Sequence, residues 1–456
     1  MTPGEGSIMG ERGPAAHKAD DPSAQALRLH SFYRGKVQVM PKCPIRGPGD
    51  FAIWYTPGVA APCRAIAADP ASVYDHTNKG NLVAVISDGS RVLGLGDIGP
   101  EAGLPVMEGK ALLFKYLGGV DAVALCIAAK TPDDIVRTAA ALAPSFGGIN
   151  LEDIAQPKCF RVLESLRAAT GIPVWHDDQQ GSATAALAGL INALKVVGKT
   201  FGDVRIALVG VGAANVATYR LLTSAGVDPA AIVACDSKGT LHAGRSDLSA
   251  AREAFPEKWK ICTESNRDRI QGGIEAALRG ADVCIAFSRS GPGVIEPDWI
   301  AAMANDAIVF ACANPVPEIW PDEARAAGAR VVATGRSDFP NQLNNSLVFP
   351  GLFRGVLDVR ARTITDTMAA AAAHALAQYA ERRGLTENAI LPRMDEWEVA
   401  AHVAAAAGMR AQEEGLAGRS IAEAALLEGA RTRIQGARAA TEALMREGLI
   451  ATPPEG

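Results

Sequence analysis

Long apolar runs are missing from this 456-residue sequence. No stretch approaches the roughly 20 apolar residues that a helix needs to cross a bilayer, so a membrane partner is not expected. The first 25 residues are rich in Gly, Pro and charge and lack the apolar segment of a secretory signal. Excess positive charge is missing too: the net charge is −5, so no basic field points to nucleic acid. The eight cysteines never form a CxxC pair, which argues against a zinc ribbon or a thioredoxin-like dithiol. Several sit in apolar runs and read as small core residues of a reducing compartment. No internal repeat is found. These absences lead to a soluble, cytoplasmic protein.

What is present is an ordinary globular balance, 48% hydrophobic and 21% charged, in a length that suits two or three domains. Residues 1–26 read as a mobile tail. Residues 27–80 hold a helical start and a stretch punctuated by Pro and Gly. Strands follow at 82–86, 122–127, 148–151 and 174–176, with Val92-Leu93-Gly94 expected as a hairpin partner of the first. Helices are expected from 109, over 132–141 and over 157–168. A run of small apolar residues, 181–197, suits a helix linking two domains. A second set of strands at 204–209, 232–235, 283–287, 308–311 and 331–333 has the cadence of a doubly wound parallel sheet. Beyond about residue 350 the chain is Ala-rich and helical, which helix propensity alone explains.

Gly210-Val211-Gly212-Ala213-Ala214-Asn215 joins an expected strand to an expected helix. Glycines there permit a tight turn and close backbone approach, and the helix start offers free N–H groups to a pyrophosphate. Asn215 stands where Gly or Ala is usual, so the fingerprint is imperfect, and a Gly-rich turn can be purely structural. Asp236 closes the next strand about 20 residues on, where a ribose-binding acid belongs. It favours NAD, whereas Ser237 and Lys238 suit a 2′-phosphate unless Lys238 is only a solvated turn residue. The choice between NAD and NADP stays open.

Two acid pairs, Glu152-Asp153 and Asp177-Asp178, each follow a short apolar run. Both pairs therefore fall at the ends of expected strands, where ligands of parallel sheets gather. So many carboxylates repel one another unless a cation intervenes. All-oxygen ligands suit Mg²⁺ or Mn²⁺ rather than zinc. The competing explanation is that each pair caps a following helix. His176 is a further ligand candidate, although a lone His among apolar residues is more often packed.

Together with other segments, these motifs resemble the malic enzyme family over about residues 33–370, with the compact bacterial type as the nearest likeness. The carriers are Tyr55-Thr56-Pro57-Gly58-Val59-Ala60, residues 87–99 (SDGSRVLGLGDIG) and Glu108-Gly109-Lys110-Ala111. Residues 150–154 and 176–181, Asp236-Ser237-Lys238-Gly239, Ala313-Asn314-Pro315 and Asn344-Asn345 continue the likeness. The resemblance implies oxidative decarboxylation of L-malate to pyruvate and CO2, with reduction of NAD or NADP and a divalent metal. It also implies an α/β fold in which 27–180 forms a substrate and metal domain and 181–350 a Rossmann-type dinucleotide domain. Residues 351–456 would form a helical C-terminal segment. No acetyltransferase-like domain, carried by some relatives, is expected.

The same resemblance assigns roles. Lys110 is the general base, which requires burial or nearby positive charge to lower its pKa. Lys115 is its rival on the same helix and should point elsewhere, as a surface or phosphate-side lysine. Tyr55 is the proton donor to the enol, and Asp177 orients Lys110 or relays its proton. Glu152, Asp153 and Asp178 are metal ligands, and Arg91 clamps a substrate carboxylate. Asn314 and Asn344 sit near the nicotinamide and the substrate carboxylate, with Asn345 a weaker candidate. Gln180 and Ser182 depart from the His and Thr that compact relatives often carry. A homo-oligomer, dimer or larger, is implied, and compact members can take an active-site residue from the neighbouring subunit. Two other functions remain: a malolactic-type enzyme releasing lactate, and a non-catalytic dinucleotide-binding protein with a degraded site.

Overall fold

β-Branched and aliphatic runs that are apolar on both faces become central strands of parallel sheets, because helices cover both sides. Such runs dominate this chain, and a computed structural model describing residues 22–454 arranges them in two sheets. The first holds β1 (Leu82–Ser87), β2 (Asp121–Cys126), β3 (Gly148–Leu151) and β4 (Val174–His176). Their order is β2-β1-β3-β4 and every pair is parallel. The second holds β5 (Ile206–Val209), β6 (Ile232–Asp236), β7 (Gly239–Thr240), β8 (Val283–Ala286), β9 (Ile308–Ala311) and β10 (Val331–Thr334). Its order is β10-β9-β8-β5-β6-β7, and only the short β7 runs antiparallel. The order reverses beside β5, so a crevice opens at the carboxyl ends of β5 and β8. The fold is α/β with a doubly wound, Rossmann-type second sheet and a helical C-terminal region.

Three expectations need correction. Val92-Leu93-Gly94 does not pair with β1. Both edges of β1 are already occupied by β2 and β3, and Val92 instead bridges to Gly96 within its own loop. The helix expected from 109 begins ten residues earlier and spans Gly99–Gly118, passing through Pro105. Residues 22–26, expected in the tail, belong to helix Pro22–Tyr33, with Pro22 at its start, where a missing N–H costs nothing. Residues 1–21 of that expected tail lie outside the described residues.

Helix Ser182–Val197 joins the two sheets and is buried from Ala183 through Leu194. Its Asn192 Nδ2 donates to Ala377 O at 2.9 Å and Ile390 O at 2.8 Å, fastening the C-terminal helices to the core. Helix Phe349–Asp358 returns to the first sheet, and its Phe349 and Phe353 rings stack on Phe114 at 4.6 and 5.2 Å. One core thus runs through both sheets and the C-terminal helices. Among the described residues no helix is long and apolar enough to cross a membrane.

Candidate active site

The first sheet delivers both acid pairs to one edge. β3 and β4 are hydrogen-bonded neighbours in parallel register, so Glu152-Asp153 and Asp177-Asp178 emerge side by side. Residues 177–181 form a single π-helical turn, a form that recurs at functional sites. Consecutive side chains on such a turn face different ways, and this parts the two aspartates. Asp178 Oδ2 accepts the Asp153 backbone N–H at 2.8 Å, whereas Asp177 Oδ2 accepts from Lys110 Nζ at 2.6 Å. Asp177 Oδ1 is fixed in turn by Trp175 Nε1 at 2.9 Å. A side chain at Gly181 would destroy this geometry, since a Cβ there would lie 2.0 Å from Asp177 Oδ1.

Lys110 is 8% exposed and enters from helix Gly99–Gly118. Its Nζ also lies 3.0 Å from Glu152 Oε1 and 4.4 Å from the Phe349 ring centroid. Glu152 Oε2 accepts from Asn150 Nδ2 at 2.9 Å. Burial alone would lower the Lys110 pKa, but Asp177 and Glu152 outweigh it and hold the ammonium above the usual lysine range. The protein without a cation therefore departs from the expectation of a lowered lysine pKa. Lys115 is half-exposed and pairs with Asp121 at 2.7 Å, away from this cluster.

Glu152, Asp153 and Asp178 each offer an oxygen within 4.8 Å of the others. Asp153 Oδ2 is buried without a hydrogen-bond partner, the condition a bound cation would relieve. Burial, with Asp178 adding repulsion, pushes Asp153 up to about 8, and burial also raises Glu152 well above the carboxylate range. Asp153 adopts φ +54°, a conformation few non-glycine residues take, and its carbonyl accepts the Arg91 N–H at 3.0 Å. This all-oxygen acidic set, with Glu152 and Asp153 buried and Asp178 partly open, fits a hard divalent cation. His176 is fully buried, and burial lowers its pKa; its Nδ1 lies 3.7 Å from Asp178 Oδ2, next to the acids. The Arg91 side chain is exposed on the loop beside them, its Nη1 donating to Leu93 O at 3.1 Å.

The second sheet supplies the dinucleotide turn. Gly210 has φ +85°, and a Cβ on it would lie 2.5 Å from Phe287 O, so only glycine fits between β5 and the loop after β8. Helix Ala213–Ser224 starts at Ala213 and Ala214 with Gly212 as its N-cap and no side chain capping it. Its first N–H groups remain for an anion, which fits a pyrophosphate. Asn215 is placed differently from the cofactor contact expected of it. It is buried, and its Nδ2 donates to Val209 O at 3.0 Å and Gly210 O at 2.8 Å, binding the turn to the sheet. Asp236 ends β6 but faces cations: Arg245 reaches its two oxygens at 3.1 and 3.3 Å, and Lys258 lies 3.9 Å away. Ser237 and Lys238 are exposed beside it.

Asn314 is exposed after β9, and a Cβ on Gly94 would lie 3.0 Å from its carbonyl oxygen, so the loop that follows Arg91 meets the loop that follows β9. Asn344 caps the short helix Asn345–Leu347, its Oδ1 accepting Ser346 N–H at 2.9 Å, and Asn345 borders Gly181. Tyr55 is not brought to Lys110: it is 72% exposed, and its side chain makes no hydrogen bond among the described residues. Several supporting residues escaped sequence reasoning. Asn150 and Trp175 lie inside the recognised motifs, two residues before the acids they hold. Phe349 carried no local signal. Glu318 is fully buried and accepts from Ser288 N, Ser288 Oγ and Ala313 N at 2.8, 2.9 and 3.0 Å, tying together the loops after β8 and β9.

Comparison with known proteins decides the family. The family described as "Malic enzyme, N-terminal domain" matches residues 34–132, and "Malic enzyme, NAD binding domain" matches residues 179–412. This chain belongs to the malic enzyme family. A bifunctional malic/malolactic enzyme of Bacillus subtilis is 47% identical over 86% of this chain and 94% of its own length. An NAD-dependent malic enzyme of Geobacillus stearothermophilus is 45% identical over 84% of this chain and 78% of its own. The crystal structure of the Entamoeba histolytica malic enzyme is 46% identical and superposes with a TM-score of 0.92, covering 95% of this chain and 90% of that one. The Entamoeba histolytica enzyme is thus similar to this chain in fold over nearly all of its length.

Proposed function

We propose that this chain catalyses the metal-dependent oxidative decarboxylation of L-malate to pyruvate and CO2, reducing NAD or NADP. The observation that carries the proposal is the buried Lys110 ammonium, 2.6 Å from Asp177 and 3.0 Å from Glu152, beside a three-carboxylate cluster. In this reading Glu152, Asp153 and Asp178 hold Mg²⁺ or Mn²⁺. That cation would supply Lewis-acid chemistry and a positive charge to offset the surrounding carboxylates. The Gly210–Ala214 turn would hold a nicotinamide dinucleotide, which would supply the hydride acceptor for C2 of malate. With positive charge offsetting Asp177 and Glu152, the burial of Lys110 would favour its neutral amine. The amine then takes the C2 hydroxyl proton, directed by Asp177, which Trp175 holds in place. Arg91 pairs with a malate carboxylate through its planar guanidinium. Asn314 and Asn344 orient carboxamide and carboxylate groups at the mouth of the crevice. Residues 27–180, 181–350 and 351–456 act as substrate unit, dinucleotide unit and closing helical segment.

The acid that protonates C3 of the enol is Tyr55, and it comes from a second copy of the chain. Tyr55 stands on a face with Phe51, Ile53 and Trp54, each at least 50% exposed, and such a contiguous apolar patch marks an interface. A two-fold dimer covers both copies of the face at once. The protein acts in the cytoplasm on a small dicarboxylate and needs no membrane or nucleic acid. Release of lactate is the second reading, favoured by the malic/malolactic name of the Bacillus subtilis relative.

The test is an initial-rate assay with L-malate and NAD or NADP. Reduced nucleotide should form, disappear with EDTA and return with Mn²⁺, with pyruvate accumulating. Lactate without net reduced nucleotide would replace this reading with the malolactic one; no malate turnover would overturn both.

A further inference from the structure

Lys115 leaves the active-site cluster and borders a cavity of about 440 Å³. The cavity lies where helix Gly99–Gly118 ends, between helices Phe349–Asp358 and Glu423–Arg446. Six cationic side chains and two carboxylates line it. Lys115 is balanced by Asp121 and Arg360 by Asp75. Arg354 and Arg433 converge on one carboxylate oxygen, Asp358 Oδ1, so two guanidiniums share a single negative charge. Among the described residues Lys42 meets only the neutral Asn78 Oδ1, at 3.2 Å. Arg419 is exposed, and its guanidinium has no hydrogen bond or ion pair among the described residues. Three positive charges are therefore uncompensated in one concave site. Arg354 is itself buried, its side chain 2% exposed, so the wall is built into the fold.

A cleft with charge of one sign and low-dielectric walls concentrates counter-ions, and arginine forks match phosphate oxygens. We propose that this cavity is a second ligand site, separate from the metal and dinucleotide sites, and that it binds a phosphate-bearing polyanion of about three negative charges. Two helices connect it to Lys110. Helix Gly99–Gly118 carries Lys110 and ends at the cavity with Lys115, and helix Phe349–Asp358 runs from the Phe349 ring, 4.4 Å from Lys110 Nζ, to Arg354 and Asp358 in the cavity wall. Occupation of the cavity therefore acts on the position of the base. The binding itself is independent of the malate reaction; only this coupling rests on it.

The probe is inorganic tripolyphosphate, titrated calorimetrically into the full chain at low ionic strength without divalent ions. One tripolyphosphate should bind per chain. The double variant Lys42→Ala/Arg419→Ala, both exposed positions, should weaken it at least tenfold. Arg245→Ala, which removes a cation beside Asp236 at the end of β6, should leave it unchanged. Adenosine triphosphate binding more tightly than tripolyphosphate at this site would identify a nucleotide as the source, and equal affinity a bare phosphate chain. Absence of binding, or binding lost in Arg245→Ala and kept in the double variant, would overturn the site. With Mn²⁺ in excess, tripolyphosphate should shift the malate KM at least twofold in the wild type and not in the double variant. Binding without any kinetic change would overturn the coupling.

Discussion

Lys110 Nζ and Asp177 Oδ2 lie 2.6 Å apart, both buried, and 67 residues apart in sequence. No local rule places them together; the pairing requires helix Gly99–Gly118 to cross the carboxyl edge of the first sheet. Lys110→Ala should lower kcat at least ~100-fold, in the range expected for loss of a general base. Reduced-nucleotide fluorescence titration should give an unchanged cofactor Kd. Asp177→Asn keeps a hydrogen-bond acceptor but loses the charge, so it should lower kcat less than Lys110→Ala does. Near-wild-type turnover in Lys110→Ala would remove it from the mechanism.

The acid cluster makes stability depend on pH when no metal is bound. An unfolded Asp titrates near ~3.9, while folded Asp153 is pushed up to about 8 by burial and Asp178. A carboxyl raised on folding binds more protons in the native state. Its contribution is full below the unfolded value and is lost as pH rises through the folded one. The metal-free protein should thus lose Tm between about pH 4 and 8, and Asp153→Asn should flatten that slope. Mn²⁺ affinity should rise over the same window, since the ligands must release protons. A Tm independent of pH in the metal-free protein would contradict the buried, proton-holding cluster.

Tyr55 and Lys110 can be separated genetically. Tyr55→Phe chains and Lys110→Ala chains should each be nearly inactive alone in pyruvate formation. Unfolded together and refolded at equal ratio, they should recover about a quarter of wild-type activity, because half of the two-fold dimers are mixed and each mixed dimer has one complete site. No recovery would place Tyr55 in its own chain's site or outside the reaction.

Asp236 is engaged by Arg245 at 3.1 Å and 3.3 Å, leaving little acceptor capacity for a ribose. Asp236→Ala should leave Arg245, still paired with Asp247 at 2.7 and 2.8 Å, and Lys258 with one carboxylate fewer, which favours a 2′-phosphate. The ratio of kcat/KM for NADP over NAD should then rise at least tenfold. An unchanged ratio would mean that this carboxylate does not set cofactor choice.

Much of the scaffold was legible because buried parallel strands are short apolar runs, and β3, β4 and β9 fall where their runs predict. The glycine turn and the acid pairs were legible as strand-end motifs for the same reason. The Val92 loop misled because its apolar residues look like a strand, and only the sheet order shows that β1 has no free edge. The Asn215 side chain turns inward to Val209 and Gly210, a direction that motif position does not record.

The sequence by itself determined two alternating α/β units, the Gly210–Gly212 turn, and carboxylate doublets at the ends of neighbouring strands. These follow from local propensity and the fixed geometry of strand ends. Tertiary structure decided the division of labour within them. The π-helical turn sends Asp177 to Lys110 and Asp178 to Asp153, and a helix some 240 residues downstream of Lys110 lays Phe349 beside its ammonium. Packing across the chain also left Tyr55 facing outward and gathered six cations from four distant segments into one cavity. Contacts between residues far apart in sequence are set by how the layers stack, and no single segment records that.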